Sequence, residues 1–400
     1  MEREHNRKKP ITPFLFLITA SCVCALLYLY ALPNSITWLI ELSNRGLLIM
    51  WIIGGGYVLF RQVIESVPKT VASTLVLAGF TLAALAIALL LQRTDAFSKT
   101  MSVFGFLAFP FMLCYSAFFK IDDRAKRAVC FFAICCSFVF IDLYYSDYRQ
   151  YYEGPYGGVE LDVVTLGYAN PNQTAIYLFS CATVLFTSVF YFKSNLFRLL
   201  VFLDGCYISW ILFQTESRTA MAMLVVFGVF IFLLRGKSVS KRLVDIAILT
   251  PVIYLVFFVV LALLQKSVTF LNVDIFNGRD VLYSNYLNRL TFLTALFGDL
   301  NRYMFQNMHN GYVAIAASAG VVSCFAYAFC LRACAMGNRP AKDAPAYMRV
   351  SFIAFLCMIM YTASEAAYFV GGSVYGFLMF APVVMFATPY ARQNIKAEET

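Results

Sequence analysis

Apolar runs of about 20 residues recur from one end of the chain to the other, each long enough to cross ~30 Å of hydrocarbon as a helix. Twelve can be read off: 11–32, 46–63, 70–92, 100–119, 128–146, 171–192, 197–214, 218–234, 243–264, 311–331, 346–363 and 371–389. Only 13% of residues are charged and the mean hydropathy is +0.73, outside the range of water-soluble globular proteins of this length. The expected fold is an all-α, polytopic integral membrane protein of about 12 transmembrane helices, with residues 1–400 as one transmembrane domain.

The first run follows Arg3, Arg7, Lys8 and Lys9 and so looks like a secretory signal. Its length, and the eleven runs after it, identify an uncleaved first helix instead. With the N-terminus inside, the 31 Lys and Arg residues divide 22 to 9 in favour of the cytoplasmic side, so both termini are expected there. The net charge of +9 then reflects cytoplasmic loops facing anionic headgroups, and nucleic acid need not be invoked. All twelve cysteines lie in or beside apolar runs without a CxxC pair, as small, soft core residues do. Neither a disulfide framework nor a metal site is expected.

Two longer polar segments face outward, 147–170 and 265–310. In the second, Leu282, Tyr286, Leu290, Leu293 and Phe297 recur at three- and four-residue spacing, which predicts an amphipathic external helix before the tenth span. Asn277-Gly278 signals the turn before it, and Arg279 would sit in its first turn.

Three polar motifs share one geometry. "YANPNQTA" (168–175), "TESRTA" (215–220) and "NMHNGY" (307–312) each open a span running from outside to inside, so each is an outward-facing helix N-terminus. Asn170 before Pro171 reads as an N-cap with proline at the first helical position, and Thr215 or Ser217 as a cap for the next helix. Unpaired N–H groups and positive dipole ends favour anions there, and Arg218 and Arg279 add full charges. Clustered, these ends would form a pocket suited to a diphosphate at the outer membrane surface. Taken singly, an arginine at a helix end is more often an interfacial anchor. The weight lies in the three motifs sharing one side.

Together these residues resemble the O-antigen polymerase/ligase superfamily, the Wzy-type and WaaL-type enzymes. The resemblance rests on Asn170-Pro171-Asn172, Ser217-Arg218, Gly278-Arg279 and His309-Asn310, in that order within a twelve-span layout, and covers essentially the whole chain. It implies a GT-C-like fold in the bacterial cytoplasmic membrane and inverting, metal-independent glycosyl transfer on its external face. The implied substrates are an undecaprenyl-diphosphate-linked oligosaccharide donor and a glycan acceptor, with membrane lipids and a chain-length regulator protein as further partners and no cofactor. On this reading Arg218 and Arg279 hold the diphosphate. His309, one of only two histidines and the only external side chain with an ordinary pKa near 6.5, activates the acceptor hydroxyl. Ser217, Glu216, Asn310, Asn170, Asn172, Tyr283, Arg289 and Arg302 are the expected substrate-binding residues. His309 is expected just outside the hydrocarbon, where lipid and glycan join.

Ligases of the family commonly carry His-x-His-Asn; here the first of those positions is Asn307, which tilts the reading toward a polymerase joining lipid-linked repeat units. A ligase acting on lipid A core remains an alternative. So does a flippase or transporter, for which Asp204 and Asp245 are the main candidates for intramembrane charge. Cysteine-accessibility labelling should place residues 280–305 outside the membrane; labelling from the cytoplasm would overturn the charge-based topology.

Overall fold

The structure, a computed structural model, describes residues 13–64, 121–146, 149–153, 160–263, 269–270, 273–274, 283, 286, 288, 290–298, 309–370 and 373–387. The expected spans 70–92 and 100–119 lie outside the described residues. What is described is an apolar helical bundle: α1 (Pro13–Ala31), α2 (Thr37–Ile64), α3 (Asp123–Tyr145), α4 (Pro171–Tyr191), α5 (Asn195–Phe213), α6 (Arg218–Leu233), α7 (Lys241–Leu263), α8 (Phe292–Phe297), α9 (Gly311–Gly337), α10 (Ala346–Tyr361), α11 (Ala367–Val370) and α12 (Ser373–Phe386). Among the described residues five helices, α1, α3, α4, α5 and α9, are long and apolar enough to cross a membrane, and α6, α10 and α12 are shorter apolar helices.

Helix α10 is the centre. It packs against α4, α6, α7 and α12, and Val350–Ile359 are buried without interruption. The stretch "VSFIAFLCMI" carries no charge, and its one hydroxyl, Ser351, donates to the carbonyl of Pro382 inside α12 at 2.6 Å. Elsewhere Ser21, Ser180, Thr187 and Ser188 donate to carbonyls one turn back in their own helices, so their polarity needs no partner from lipid. Tyr368 of α11 meets the Ser180 hydroxyl at 2.7 Å and ties that short helix to α4.

The two acidic residues singled out in the sequence have local partners. Asp245 pairs with Arg332 Nε at 2.8 Å, joining the start of α7 to the last turns of α9. Asp204, midway along α5, lies 2.7 Å from the Ser137 hydroxyl of α3.

The structure adds to or corrects the sequence reading at three places. First, within the 147–170 segment β1 (Arg149–Glu153) and β2 (Glu160–Val164) pair antiparallel, from Arg149 opposite Val164 to Glu153 opposite Glu160. The strand-forming "QYY" and "DVV" stand on either side of the turn-rich "GPYGG", which is a hairpin pattern. A second short pair joins β3 (Thr269–Phe270) to β4 (Val273–Asp274).

Secondly, the amphipathic helix is not continuous. Thr291 is extended (φ −104°, ψ 164°) and starts α8 afresh with a capping box: Thr294 N–H donates to Thr291 Oγ1 and Thr291 N–H to Thr294 Oγ1. Those reciprocal bonds make Thr291 the start of a new helix, whatever the apolar periodicity across it.

Thirdly, the span expected at 311–331 is broken. Gly320 (φ 85°, ψ 165°) is not helical, and α9 is two arms, 311–319 and 321–337. The Phe369 ring lies 5.5 Å from the Tyr312 ring and 4.8 Å from the Tyr327 ring, centroid to centroid. The two tyrosine rings are thus no more than about 10 Å apart, whereas fifteen residues of straight helix span about 22 Å. The arms therefore fold back on each other at Gly320, with Phe369 wedged between them. An independent check agrees. Asn310 bonds to Pro251 and Arg332 to Asp245, positions only about 9 Å apart along α7, yet 22 residues of straight helix would separate Asn310 from Arg332 by about 33 Å. Phe369 is 2% exposed, so Phe369→Ala should cost about 3–5 kcal/mol, the usual loss for a buried ring, and markedly lower the thermal unfolding temperature in detergent.

Candidate functional site

Three helix N-termini meet at one end of α10. At α4, Asn170 Oδ1 accepts from the Gln173 N–H at 2.8 Å and Pro171 fills the first helical position, as the Asn-Pro pair predicted. At α6, Ser217 stands at the N-cap position but makes no capping bond. Its hydroxyl instead donates to Asn172 Oδ1 at 3.0 Å and joins the two helix starts. The Ser217 N–H is met by Thr215 Oγ1 at 3.4 Å. Glu216 between them is exposed and holds the left-handed region at φ 54°, a conformation that costs a non-glycine residue on the order of 1 kcal/mol. The Val164 N–H bonds to Gln214 O at 3.1 Å, fastening the β1–β2 hairpin to the same turn.

At α9, Asn310 is fully buried and every hydrogen-bonding position it has is used. Its Oδ1 accepts from the N–H groups of Tyr312 and Val313 at 3.1 and 3.2 Å, capping the first arm. Its Nδ2 donates to Pro251 O in α7 at 2.8 Å and to Ala363 O in the turn after α10 at 3.1 Å. The next residue must be glycine: a Cβ on Gly311 would lie 2.5 Å from the Phe369 ring and 3.0 Å from Thr362 Cβ. That close approach lets the Gly311 N–H reach Thr362 O at 2.8 Å.

The turn 362–365 connects all this. Ser364 Oγ donates to Thr219 Oγ1 of α6 at 2.9 Å, Ala363 and Thr362 hold Asn310 and Gly311, and Glu365 Oε2 lies 3.6 Å from His309 Nδ1. The His309 side chain is 40% exposed and that of Glu365 only 12%. A separation of 3.6 Å is too long for a direct hydrogen bond but places the carboxylate beside the ring.

Helices α6 and α10 have 16 residues each, about 24 Å, less than the ~30 Å of a hydrocarbon core. Asn310 contacts Pro251, ten residues (~15 Å) from the start of α7 and twelve (~18 Å) from its end. The start of α9, with His309 just before it, thus lies beside the middle of α7.

Of the expected site residues, Asn170, Asn172, Glu216, Ser217, Arg218, His309 and Asn310 gather around this cluster. Arg218 is exposed at the first position of α6 and has no ion pair among the described residues. Asn170 is occupied as a cap, and Asn310 has no hydrogen-bonding capacity left for a ligand. Tyr283 is buried, 1% exposed, and burial pushes the neighbouring Tyr286 phenol up to about 12. Arg279, Arg289, Arg302 and Asn307 lie outside the described residues. Ser364 and Glu365 were not anticipated, and Thr219, within "TESRTA", was given no role. The signal for the first two was "TASE", a polar interruption between the last two apolar runs whose Glu365 is the only carboxylate there. Among the described residues no group of three or more His, Cys, Asp or Glu side chains is placed to hold a metal.

Comparison with protein-family models, with curated proteins and with solved structures yields no match.

Asn310→Asp separates the two tasks of this residue. Aspartate caps a helix as well as asparagine does, but it cannot donate to the carbonyls of Pro251 and Ala363. It should therefore destabilise the protein by more than the 0.5–2 kcal/mol typical of a lost cap, measured as thermal unfolding beside Asn310→Ala. An Asp variant as stable as wild type would show that the two carbonyl contacts contribute nothing.

Proposed function

We propose that this chain is a glycosyltransferase of the bacterial cytoplasmic membrane, a Wzy-type polymerase that joins undecaprenyl-diphosphate-linked oligosaccharides on the external face. The observation that carries the reading is the convergence of the α4, α6 and α9 starts on the 362–365 turn, with a cation, Arg218, and a histidine–carboxylate pair, His309 and Glu365, in one cluster. The ordered motifs of the sequence supply the family; the geometry supplies neighbours for them.

In the proposed reaction the acceptor hydroxyl attacks the anomeric carbon from the face opposite the diphosphate. His309 takes the hydroxyl proton through Nε2, since Nδ1 is turned toward Glu365. Glu365 keeps the ring oriented and stabilises the imidazolium as it forms. The C1–O bond breaks, and the diphosphate leaves with both bonding electrons, its charge held by Arg218 and by the positive ends of α4 and α6. Arg279 is assigned the second diphosphate contact from the sequence motif alone. Nothing in this scheme calls for a metal. Transfer to a lipid A core acceptor would use the same groups.

A second reading has an observation of its own. A broken helix beside an ionisable pair is also how membrane transporters build substrate sites, so the cluster would also suit export of a lipid-linked oligosaccharide. The two differ in chemistry: purified protein in detergent, with no second compartment, can form a glycosidic bond but cannot show transport.

Arg218→Ala should abolish polymer while expression and membrane insertion persist, and Lys should rescue poorly because it lacks the bidentate fork. His309→Gln should lose on the order of 10²-fold or more in turnover, and EDTA should leave the wild-type rate unchanged. Near-normal turnover by the Gln variant, or loss in EDTA restored by a divalent cation, would sink this mechanism.

A further inference from the structure

The turn between the two arms of α9 is held from outside by the segment that precedes it. Gly298 (φ 75°), which ends α8, faces the backbone of Ser318 and Ala319; Gly320 (φ 85°) faces the backbone of Leu296 and Phe297. A Cβ on Gly298 would overlap Ser318, and one on Gly320 would overlap the Leu296 carbonyl, so each glycine meets the other's strand of chain through bare backbone. Neither φ suits an L side chain, so substitution adds strain to the overlap. On its own side of the clasp, α8 is started by the Thr291–Thr294 capping box.

We propose that Gly298 and Gly320 are positioning residues for His309: the clasp of α8 over the α9 turn fixes the arm 311–319, and that arm sets the imidazole against Glu365. An arm of nine residues is too short to be a stable helix alone. It is pinned at the bottom by Asn310 and Gly311, along its length by buried side chains such as Tyr312 against Phe369, and at the top by the break at Gly320 and what packs on it. With the top released, the arm can shift about Asn310 as its packing relaxes, and the residue on the far side of that point is His309. The proposal rests on the reading above only in calling His309 the reacting group; the mechanical link stands or falls separately.

The test uses the chain's two histidines as probe and reference. Full-length protein in lipid nanodiscs is treated briefly with diethylpyrocarbonate, and modification of His309 relative to His5 is read by mass spectrometry. Gly298→Ala and Gly320→Ala should change that ratio several-fold while the protein stays monodisperse and folded. If either glycine variant fails to fold, the double variant Thr291→Val/Thr294→Val loosens α8 without touching α9 and should move the ratio in one direction by a smaller factor. Phe292→Ser, at an 82% exposed position on α8 away from the clasp, should leave it unchanged. A folded clasp variant with the wild-type ratio overturns the proposal, even if Arg218→Ala still abolishes polymer. A changed ratio in a protein that forms no glycosidic bond would instead keep the clasp and remove the enzyme.

Discussion

The side-chain amide of Asn310 is the contact on which the rest of the cluster depends. Its carbonyl oxygen closes the start of one helix, and its two amide hydrogens reach a second helix and the turn after a third. In a bundle whose surroundings offer no water, four such bonds on one buried side chain replace partners that nothing else could supply. Because the groups it joins come from α7, α9 and the end of α10, a single residue fixes how those elements stand to one another. The position of His309 follows from that, as its immediate neighbour.

Intrahelical proline recurs in this design. Pro251 in α7 and Pro382 in α12 each offer their carbonyl to a polar side chain from elsewhere, Asn310 in one case and Ser351 in the other. A helix carbonyl has two lone pairs, so each of these can accept a donor from another segment without giving up its place in its own helix. Polar cross-links between helices are thereby concentrated at a few points, and the surfaces between them remain apolar and close-packed. The Ser364–Thr219 and Ser217–Asn172 bonds extend the same economy to the helix ends.

Much of the helical layout was legible because apolar runs of bilayer length leave little freedom, and the Asn170–Pro171 start of α4 was legible because proline and a capping side chain act within one turn. What escaped depended on contacts distant in sequence. Gly320 sits in an apolar run whose composition is that of an ordinary span; only Phe369, 49 residues further on, makes a fold-back the better packing. Thr215 or Ser217 was expected to cap α6; Ser217 stands at that position without a capping bond, its hydroxyl turned to Asn172 of another helix, while Thr215 Oγ1 meets the Ser217 N–H. Glu365 is nearly invisible in one dimension, since a single carboxylate between two spans is unremarkable until His309 is placed beside it. The periodicity of 282–297 misled for a local reason: the Thr291–Thr294 box restarts the helix, and periodicity does not register caps.

The fold-back of α9 also has a place in time. A chain made from its N-terminus presents 311–337 before the residues that hold its arms together. Asn310 can meet Pro251, 59 residues earlier, as soon as it emerges, but its other carbonyl partner, Ala363, arrives 53 residues later, and the wedge at Phe369 later still. At 27 residues, about 40 Å if straight, the segment is long enough to enter the membrane first as one unbroken helix. The contacts with Ala363 and Phe369 can form only once the last apolar helices arrive, whereas those with α7 and α8 can form earlier. The setting of His309 is in this sense a late product of synthesis, and a chain truncated before α10 would lack both Ala363 and Glu365.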